Sequence, residues 1–323
     1  MSFDIVIPWV DWSNKYFVKK MIENGGRSEG CESGEVIELK YLLRSLDKNK
    51  VDYDKIYIVY SDNHPPPKYL KETERLKFVP HSMIVKEESH LPLIHRESII
   101  SCLHRIPNLN EYYFLMEDDL FIMNGIIFEE IIEQYKNKNL YTFKMNLNSK
   151  YDVKASCGLY FQGMINSARI ICGFKQGVVM AHEHTLQFFD KKIMHYLEKT
   201  YNKQFMATMS YKNQEKETYK EQDIINVVSL FNNFLVYKLR YSELSMPNNS
   251  IIMIHTGGYS KINEIERLKI HLLNRLNNLQ EAWILNAQGD GISDEFSDCP
   301  IIHEIFYTFL EKTYPIKTDY ECV

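Results

Sequence analysis

Three carboxylates stand in a row at Glu117-Asp118-Asp119, after the apolar run YYFLM and before Leu120-Phe121. Adjacent carboxylates repel unless a cation or strong donors offset them, so a bound metal is their natural partner. Oxygen ligands of this kind suit Mg²⁺ (or Mn²⁺), which keeps several waters and shares phosphate oxygens with its substrate. Such acidic strand ends hold the diphosphate of nucleotide sugars in transferases; the plain alternative is a solvated strand end. His182-Glu183-His184 offers a second set of groups. The HxH pair lacks an evident third ligand, and either imidazole, with an ordinary pKa of about 6.5, suits a general base. A helix-capping or core histidine is the alternative. Arg27, Lys40, Arg44, Arg96 and Arg105 supply cations in the same half of the chain. Lys40 and Arg44, four apart, share one helical face. Opposite a carboxylate-bound metal, such a face suits a diphosphate leaving group, although helix arginines are commonly just solvated. Trp9, beside Asp11 and Trp12, offers a ring for stacking on a base or sugar, or for core packing. Asp290, Asp294, Glu295 and Asp298 form an acidic loop without the terminal Glu of an EF-hand.

Short strands alternating with helices must position these groups. Strands are expected at Asp4–Val10, Lys55–Tyr60, Leu76–Val79 and Tyr112–Glu117, and helices at Val36–Lys48 and Glu97–Arg105, the latter stopped by Pro107. This alternation indicates an α/β fold, a Rossmann-like or GT-A-like mixed sheet flanked by helices. Ligands of such sheets bind beyond the carboxyl ends of the strands. Those ends carry Asp11, Asp62, and Asp118 with Asp119. Residues 140–180 read as a strand-rich insertion within a single domain of 323 residues. His182–Thr200 is expected to contain a helix, Lys203–Gln222 a loop or poor helix, and Asp223–Tyr237 a helix. Ile251–His255 reads as a strand, Asn263–Ala282 as a long helical region and Ile301–Thr313 as the last helix.

Composition excludes several classes. With 45% apolar and 25% charged residues and a net charge of −5, the chain is neither disordered nor a general polyanion binder, so nucleic acid is not an expected partner. GxGxxG and P-loop motifs are absent. The six cysteines show no CxxC spacing, and the N-terminal apolar stretch carries Asp4 and reads as a strand. A cytoplasmic protein with at most peripheral membrane association is expected. The 22 Tyr and 17 Phe leave core and sugar-stacking uses both open.

In order along the chain, the motifs resemble the Stealth family of sugar-1-phosphate transferases. That family includes bacterial capsular and cell-wall polysaccharide phosphotransferases and the animal N-acetylglucosamine-1-phosphotransferase. Its first region resembles DIVIPWVDWSN at Asp4–Asn14. The second and most specific comprises ELKYLLRSLDK (Glu38–Lys48), IYIVYSDNHPPPKYL (Ile56–Leu70), LPLIHRESI (Leu91–Ile99) and LHRIPNLNEYYFLMEDDLFI (Leu103–Ile122). The third is HTLQFFDKK (His184–Lys192), and the fourth is LNAQGDGISDEF (Leu285–Phe296) followed by FLEKTYPIKTDYE (Phe309–Glu321). Departures are specific. Glu117 replaces the family Asn, Ile94-His95-Arg96 replaces Phe-Asn-Ser, Leu186 and Phe188 occupy proline positions, Ala287 replaces Asp, and the RFR segment is missing.

The resemblance implies transfer of a hexose or N-acetylhexosamine 1-phosphate from a UDP-sugar to a hydroxyl of a glycan acceptor, with release of UMP, in cell-surface polysaccharide synthesis. On it, Asp118, Asp119 and Glu117 would hold Mg²⁺, and Arg44, with Lys40 or Arg105, would neutralise developing charge. His184 would take the acceptor proton. Asp11, Asp4 and Trp9 would orient the donor, with Asp62 and Asp223 among the substrate-binding residues. The alternatives are a metal-dependent glycosyltransferase releasing UDP, and a non-catalytic carbohydrate-binding protein.

Overall fold

A computed structural model describes residues 1–11, 13–24, 38–146, 158–173, 178–181, 185–211, 223–247, 251–255, 282, 284–288 and 300–322. The expected parallel strands form one sheet. β1 (Asp4–Trp9), β2 (Ile56–Tyr60), β3 (Leu76–Pro80) and β4 (Tyr112–Leu115) run parallel, and β9 (Gln187–Asp190) closes the edge antiparallel to β4, in the order β3-β2-β1-β4-β9. Ile5, Ile7, Ile56, Ile58 and Phe114 are fully enclosed, as strands covered on both faces require. This is the α/β architecture of a mixed, mostly parallel sheet flanked by helices.

The chain leaves β1 through α1 (Lys15–Glu23) and α2 (Glu38–Lys48), reaches β2 and β3 on one side, and returns through α3 (His81–Ile84) and α4 (Arg96–Ile100) to β4 on the other. β1 and β4 therefore flank the point where strand order reverses, the place where α/β sheets open a crevice. A 3₁₀ turn, Leu103–Arg105, follows α4, so the single helix expected over Glu97–Arg105 is divided. Ser98 Oγ donates to Thr208 O at 2.7 Å, and Ser101 Oγ donates to Ser98 O at 2.6 Å, a local bond that competes with a continuous helix.

A second sheet begins where the acidic run ends. β5 (Leu120–Ile122), α5 (Ile126–Lys136), β6 (Asn139–Tyr141) and β7 (Phe143–Asn146) follow in order. α6 (Gly158–Cys172) fills much of the segment expected to be strand-rich, before β8 (Val178–Ala181) pairs with β7. α6 packs closely under Ile225-Asn226: a Cβ on Gly163 would stand 2.8 Å from Asn226 N.

The expected helix His182–Thr200 is corrected at its start. Phe188 and Phe189 belong to β9, across from Phe114 and Tyr113, and the helix α7 is Lys191–Thr200. Two consecutive aromatics fit a fully buried strand as well as a helix, so periodicity alone misread them. Asp190 marks the true boundary, accepting from the backbone N–H of Lys192 (2.8 Å) and Ile193 (3.1 Å) as an N-cap. Asn202–Ser210, expected to be loop or poor helix, is α8, and α9 (Val227–Asn233) passes into a π-helical turn, Phe234–Lys238.

β10 (Ser242–Leu244) pairs with β6, and β11 (Ile251–His255) pairs with β12 (Ile284–Gln288). β12 is antiparallel to β5, with Asn286 across from Leu120. The fourth motif region is thereby brought beside the acidic strand end. α10 (Pro300–Thr313) completes the described elements. Asn263–Ala282 lies outside the described residues, except for Ala282. The aromatic excess is largely core: Tyr113 stacks on Phe189 at 5.3 Å and Tyr112 on Phe188 at 5.8 Å.

Candidate active site

The ends of β1 and β4 open into a cleft of about 240 Å³. One wall is apolar, with Trp9 from β1, Phe17 and Met21 from α1, and Ile99 and Ile100 from α4; the other carries Glu117, Asp118, Asp119 and Arg96. Sequence logic explains the wall: β1 must end in a turn before α1, and Asn14 caps that helix by accepting from Tyr16 and Phe17 N–H at 3.1 Å. Phe17 and Met21 then face inward, four apart on one side of α1. His64 braces the same turn. Its Nδ1–H donates to Pro65 O (2.9 Å), which leaves Nε2 to accept from Asp11 N–H (3.4 Å), and its ring meets Trp9 and Phe17 edge-on at 5.2 and 4.8 Å.

Arg96 Nε donates to Glu117 Oε1 at 2.5 Å and Arg96 Nη1 to Glu97 Oε1 at 2.8 Å. Glu97 also accepts from Val227 N–H at 2.9 Å, which ties Arg96 through it to the start of α9. Burial, with the carboxylates of Glu38 and Glu117, pushes Asp118 up to about 7. Burial, with Glu117 and Asp118, pushes Asp119 well above the usual carboxylate range. Carboxylates held together at this cost suit a divalent cation, whose charge would offset the repulsion and whose preference is for oxygen donors. One more observation fits. Glu38 Oε2 is buried and has no hydrogen-bond partner among the described residues.

The structure brings Trp9, Glu117, Asp118 and Asp119 together, and adds Arg96, which the sequence marks only as one of five cations. Trp9 is 5% exposed, so it lines the cleft without offering an open ring face. Asp11 sits at the turn beyond β1, accepting from Ser13 Oγ (2.6 Å) and Ser13 N–H (3.1 Å). His184 and the acidic loop Asp290–Asp298 lie outside the described residues, as do Arg27 and Trp12.

The other expected residues lie away from the cleft lining. Asp4 lies at the opposite end of β1, 1% exposed, with its oxygens accepting from Lys55 N–H (3.0 Å), Asn110 N–H (2.7 Å) and Asn110 Nδ2 (3.1 Å). It joins loops at the amino end of the sheet and cannot orient a donor at the carboxyl end. Arg44 is 3% exposed, its Nε and Nη2 each 2.8 Å from Glu321 and its Nη1 3.0 Å from Tyr314 O. This bidentate pair fastens the C-terminal segment to α2 and leaves no cation for a diphosphate. Lys40 Nζ lies over the Tyr41 ring at 4.8 Å, and Tyr41 itself donates to Glu311 at 2.5 Å. Arg105 is committed to Glu198 at 2.7 Å and Ile84 O at 3.2 Å. Asp62 accepts from Ser82 N–H (3.0 Å) and Oγ, and Asp223 pairs with Lys203 at 2.9 Å, both outside the cleft lining.

A second cluster has metal-ligand spacing: ligand atoms of His104, His195 and Glu198 lie within 4.8 Å of one another. Its carboxylate is already saturated. Lys86 and Arg105 reach Glu198 Oε1 at 2.7 Å, and His104 Nε2–H donates to Oε2 at 2.6 Å. Despite burial, these donors hold Glu198 far below the usual carboxylate range. Two fixed cations at the carboxylate disfavour a third.

An α/β fold with a carboxylate-rich cleft at its switch point defines the class; comparison shows what the chain is similar to. The model of Stealth protein CR2, conserved region 2, matches residues 33–140, the stretch from α2 through β4 to β6 that supplies the acidic wall. Exopolysaccharide phosphotransferase CpsY of Mycobacterium tuberculosis (strain CDC 1551 / Oshkosh) is 23% identical over 331 residues, covering 99% of this chain and 58% of CpsY. Capsular polysaccharide phosphotransferase SacB of Neisseria meningitidis serogroup A is 23% identical over 332 residues, covering 99% of this chain and 57% of SacB. Exopolysaccharide phosphotransferase SCO2594 of Streptomyces coelicolor is 32% identical over 126 residues, covering 37% of this chain and 21% of SCO2594. The match to the Stealth model covers about a third of the chain, and the chain spans somewhat under two-thirds of the length of CpsY and SacB. Among solved structures, galactosyltransferase LgtC superposes over 98% of both chains at TM-score 0.43 and 9% identity, too distant to add to the fold assignment made above.

Proposed function

We propose that the chain transfers a hexose or N-acetylhexosamine 1-phosphate from a UDP-sugar to an acceptor hydroxyl, forming a phosphodiester and releasing UMP, in cell-surface polysaccharide synthesis. The observation that carries this reading is the cleft at the β1–β4 switch point, with Asp118 and Asp119 raised by burial and by neighbouring carboxylates beside Arg96. Phosphoryl transfer needs in-line positioning and charge neutralisation more than covalent chemistry, and this wall is built for charge. Asp118 and Asp119 would hold Mg²⁺ or Mn²⁺, which when bound supplies positive charge to the diphosphate.

The acceptor oxygen bonds to the phosphorus that bears the sugar, and the bond from that phosphorus to the bridging oxygen breaks. UMP leaves with the bridging oxygen, and the sugar's anomeric bond stays intact. Arg96 lies where its guanidinium can turn from Glu117 toward phosphate oxygens. Trp9, Phe17 and Ile99 keep the far wall dry, which strengthens these interactions. His184 is the base in this reading, taking the acceptor proton, and His184→Ala should lower turnover about 10²–10⁴-fold. Unchanged turnover in that variant removes it from the role.

No helix among the described residues is long and apolar enough to cross a membrane. We place the reaction at the cytoplasmic face of the membrane, with peripheral association at most. The decisive experiment incubates the protein with UDP-sugars, Mg²⁺ and a glycan acceptor and identifies the nucleotide released. UMP is expected. UDP would mean cleavage at the anomeric carbon and an ordinary glycosyltransferase, and glycan binding without either nucleotide would mean a binding protein.

A further inference from the structure

We infer that Glu97 is the positioning residue for Arg96: anchored on the first turn of α9, it holds the guanidinium at the acidic wall, where the phosphate of the donor meets it. The inference deepens the phosphotransfer reading and rests on it. It starts from the cations of the cleft. Arg44, Lys40 and Arg105, the expected partners of a diphosphate, all lie outside the lining, and among the described residues Arg96 is the only lysine or arginine that lines it. Arg96 opens α4, and Glu97 follows it. Neighbouring side chains on a helix diverge by about 100° and do not face each other. The 2.8 Å contact from Arg96 Nη1 to Glu97 Oε1 therefore needs something to hold the carboxylate still.

Glu97 is held from α9. Its Oε2 accepts from Val227 N–H at 2.9 Å, and its Oε1 also accepts from Asn226 Nδ2 at 3.2 Å. Val227 is the first residue of α9, so this N–H has no partner within the helix, and the carboxylate satisfies it. Asn226 is itself fixed. Its Oδ1 caps α9 by accepting from Ser229 N–H at 2.8 Å, and its N–H donates to Ser167 Oγ of α6 at 3.1 Å. Glu97 thus sits where α4, α6 and α9 join, its side chain 14% exposed. The Arg96 side chain is 30% exposed, and its Nε reaches Glu117 in the cleft at 2.5 Å. One end of the guanidinium is pinned to the scaffold while its Nε edge meets the acidic wall. A long arginine side chain loses rotamer freedom when it grips a ligand, and one already held by a fixed carboxylate has less to lose. Charge placed in advance in this way acts on the charge that develops on the phosphoryl and bridging oxygens during transfer.

The test measures kcat and KM for UMP release from a UDP-sugar, with Mg²⁺ and a glycan acceptor, in Glu97→Gln, Arg96→Ala and the double variant. A glutamine cannot accept from both Arg96 and Val227 as the carboxylate does, because its amide nitrogen is a donor. Glu97→Gln should lower kcat about 10- to 100-fold, with KM within about threefold of native. Arg96→Ala should lower kcat about 10²–10³-fold. The double variant should be no slower than Arg96→Ala, because Glu97 acts only through the guanidinium. A double variant slower still, or a folded Glu97→Gln of native kcat, overturns the inference and leaves Glu97 a role in the fold alone. If Glu97→Gln does not fold, Val227→Pro takes its place in the same cycle. Proline suits the first helical position and removes the N–H that seats Glu97. Arg96→Ala at native kcat removes Arg96, and Glu97 with it, while the phosphotransfer reading stands. A native chain that releases UDP, or no nucleotide, overturns that reading itself and the inference with it.

Discussion

Two groups of charged residues, one around Glu198 and one in the cleft, are built on opposite plans. Around Glu198, every charge meets its complement: Arg105, Lys86 and His104 surround one carboxylate at 2.6–2.7 Å. In the cleft, Asp118 and Asp119 stand beside Glu117, while Arg96 serves Glu117 and Glu97. Burial acts on both, yet Glu198 is held low and Asp118 is pushed up to about 7. A compensated cluster has already spent its charge on folding. Perturbed carboxylates in a cleft are by contrast candidates for function.

Asp119→Asn should break the contrast most sharply. Donor turnover should fall by about 10³-fold or more, since a metal contributes several kcal/mol of charge stabilisation. The metal-free variant should melt higher than the native protein, because a repulsive buried charge is gone. Nucleotide release and thermal melts measure the two halves, and a lower melting temperature would show that the acids are mutually satisfied after all.

Glu198→Gln should do the reverse. Removing one partner of a buried ion pair costs about 3–5 kcal/mol, so denaturant unfolding should show a large loss of stability. Turnover per folded molecule should hold. A variant of native stability that loses metal-dependent turnover would instead make the His104–His195–Glu198 cluster the functional one.

The dependence on pH sharpens the contrast further. Asp118 is raised from an ordinary 3.8 to about 7, so between those values the folded chain keeps a proton that the unfolded chain has shed. Stability of the metal-free protein due to this group is therefore present below pH 4 and lost as pH rises toward 7. Metal binding must displace the same proton, so Mn²⁺ affinity should rise with pH up to about 7 and level off above it. Titrations at several pH values, with Asp118→Asn as the control, test both slopes. The smallest effect belongs outside both clusters: Asp62→Asn, exposed beside Ser82, should change stability by no more than about 0.5 kcal/mol and leave turnover unaltered.

How much of this was legible depended on distance along the chain. The acidic wall and Trp9 could be read because a strand end places its own residues, and β1 and β4 are recognisable from composition. Arg44 was misread because its partner Glu321 is 277 residues away, and a helix arginine carries no mark that separates a buried anchor from an open cation. Asp4 was misread for a related reason. It belongs to the same short motif as Trp9, but a strand has two ends, and its oxygens close loops at the wrong one. His64 and Arg96 show the converse, polar residues in loop-rich text whose roles appear only when β1, α1 and α4 converge. Within His182–Thr200, expected to contain a helix, Asp190 is the N-cap that marks where it begins.

By itself, the sequence determined the α/β class, the parallel strands and the acidic run at the end of β4, because these rest on local periodicity and adjacency. The tertiary structure alone decided which charges meet a fixed partner. Glu38, at the start of α2, accepts from Tyr307 far along the chain, whereas Arg44, two turns along the same helix, turns into the C-terminal segment. Whether a charge is spent on folding or kept for a ligand depends on what stands within a few ångströms of it, and that neighbourhood exists only once distant segments have packed.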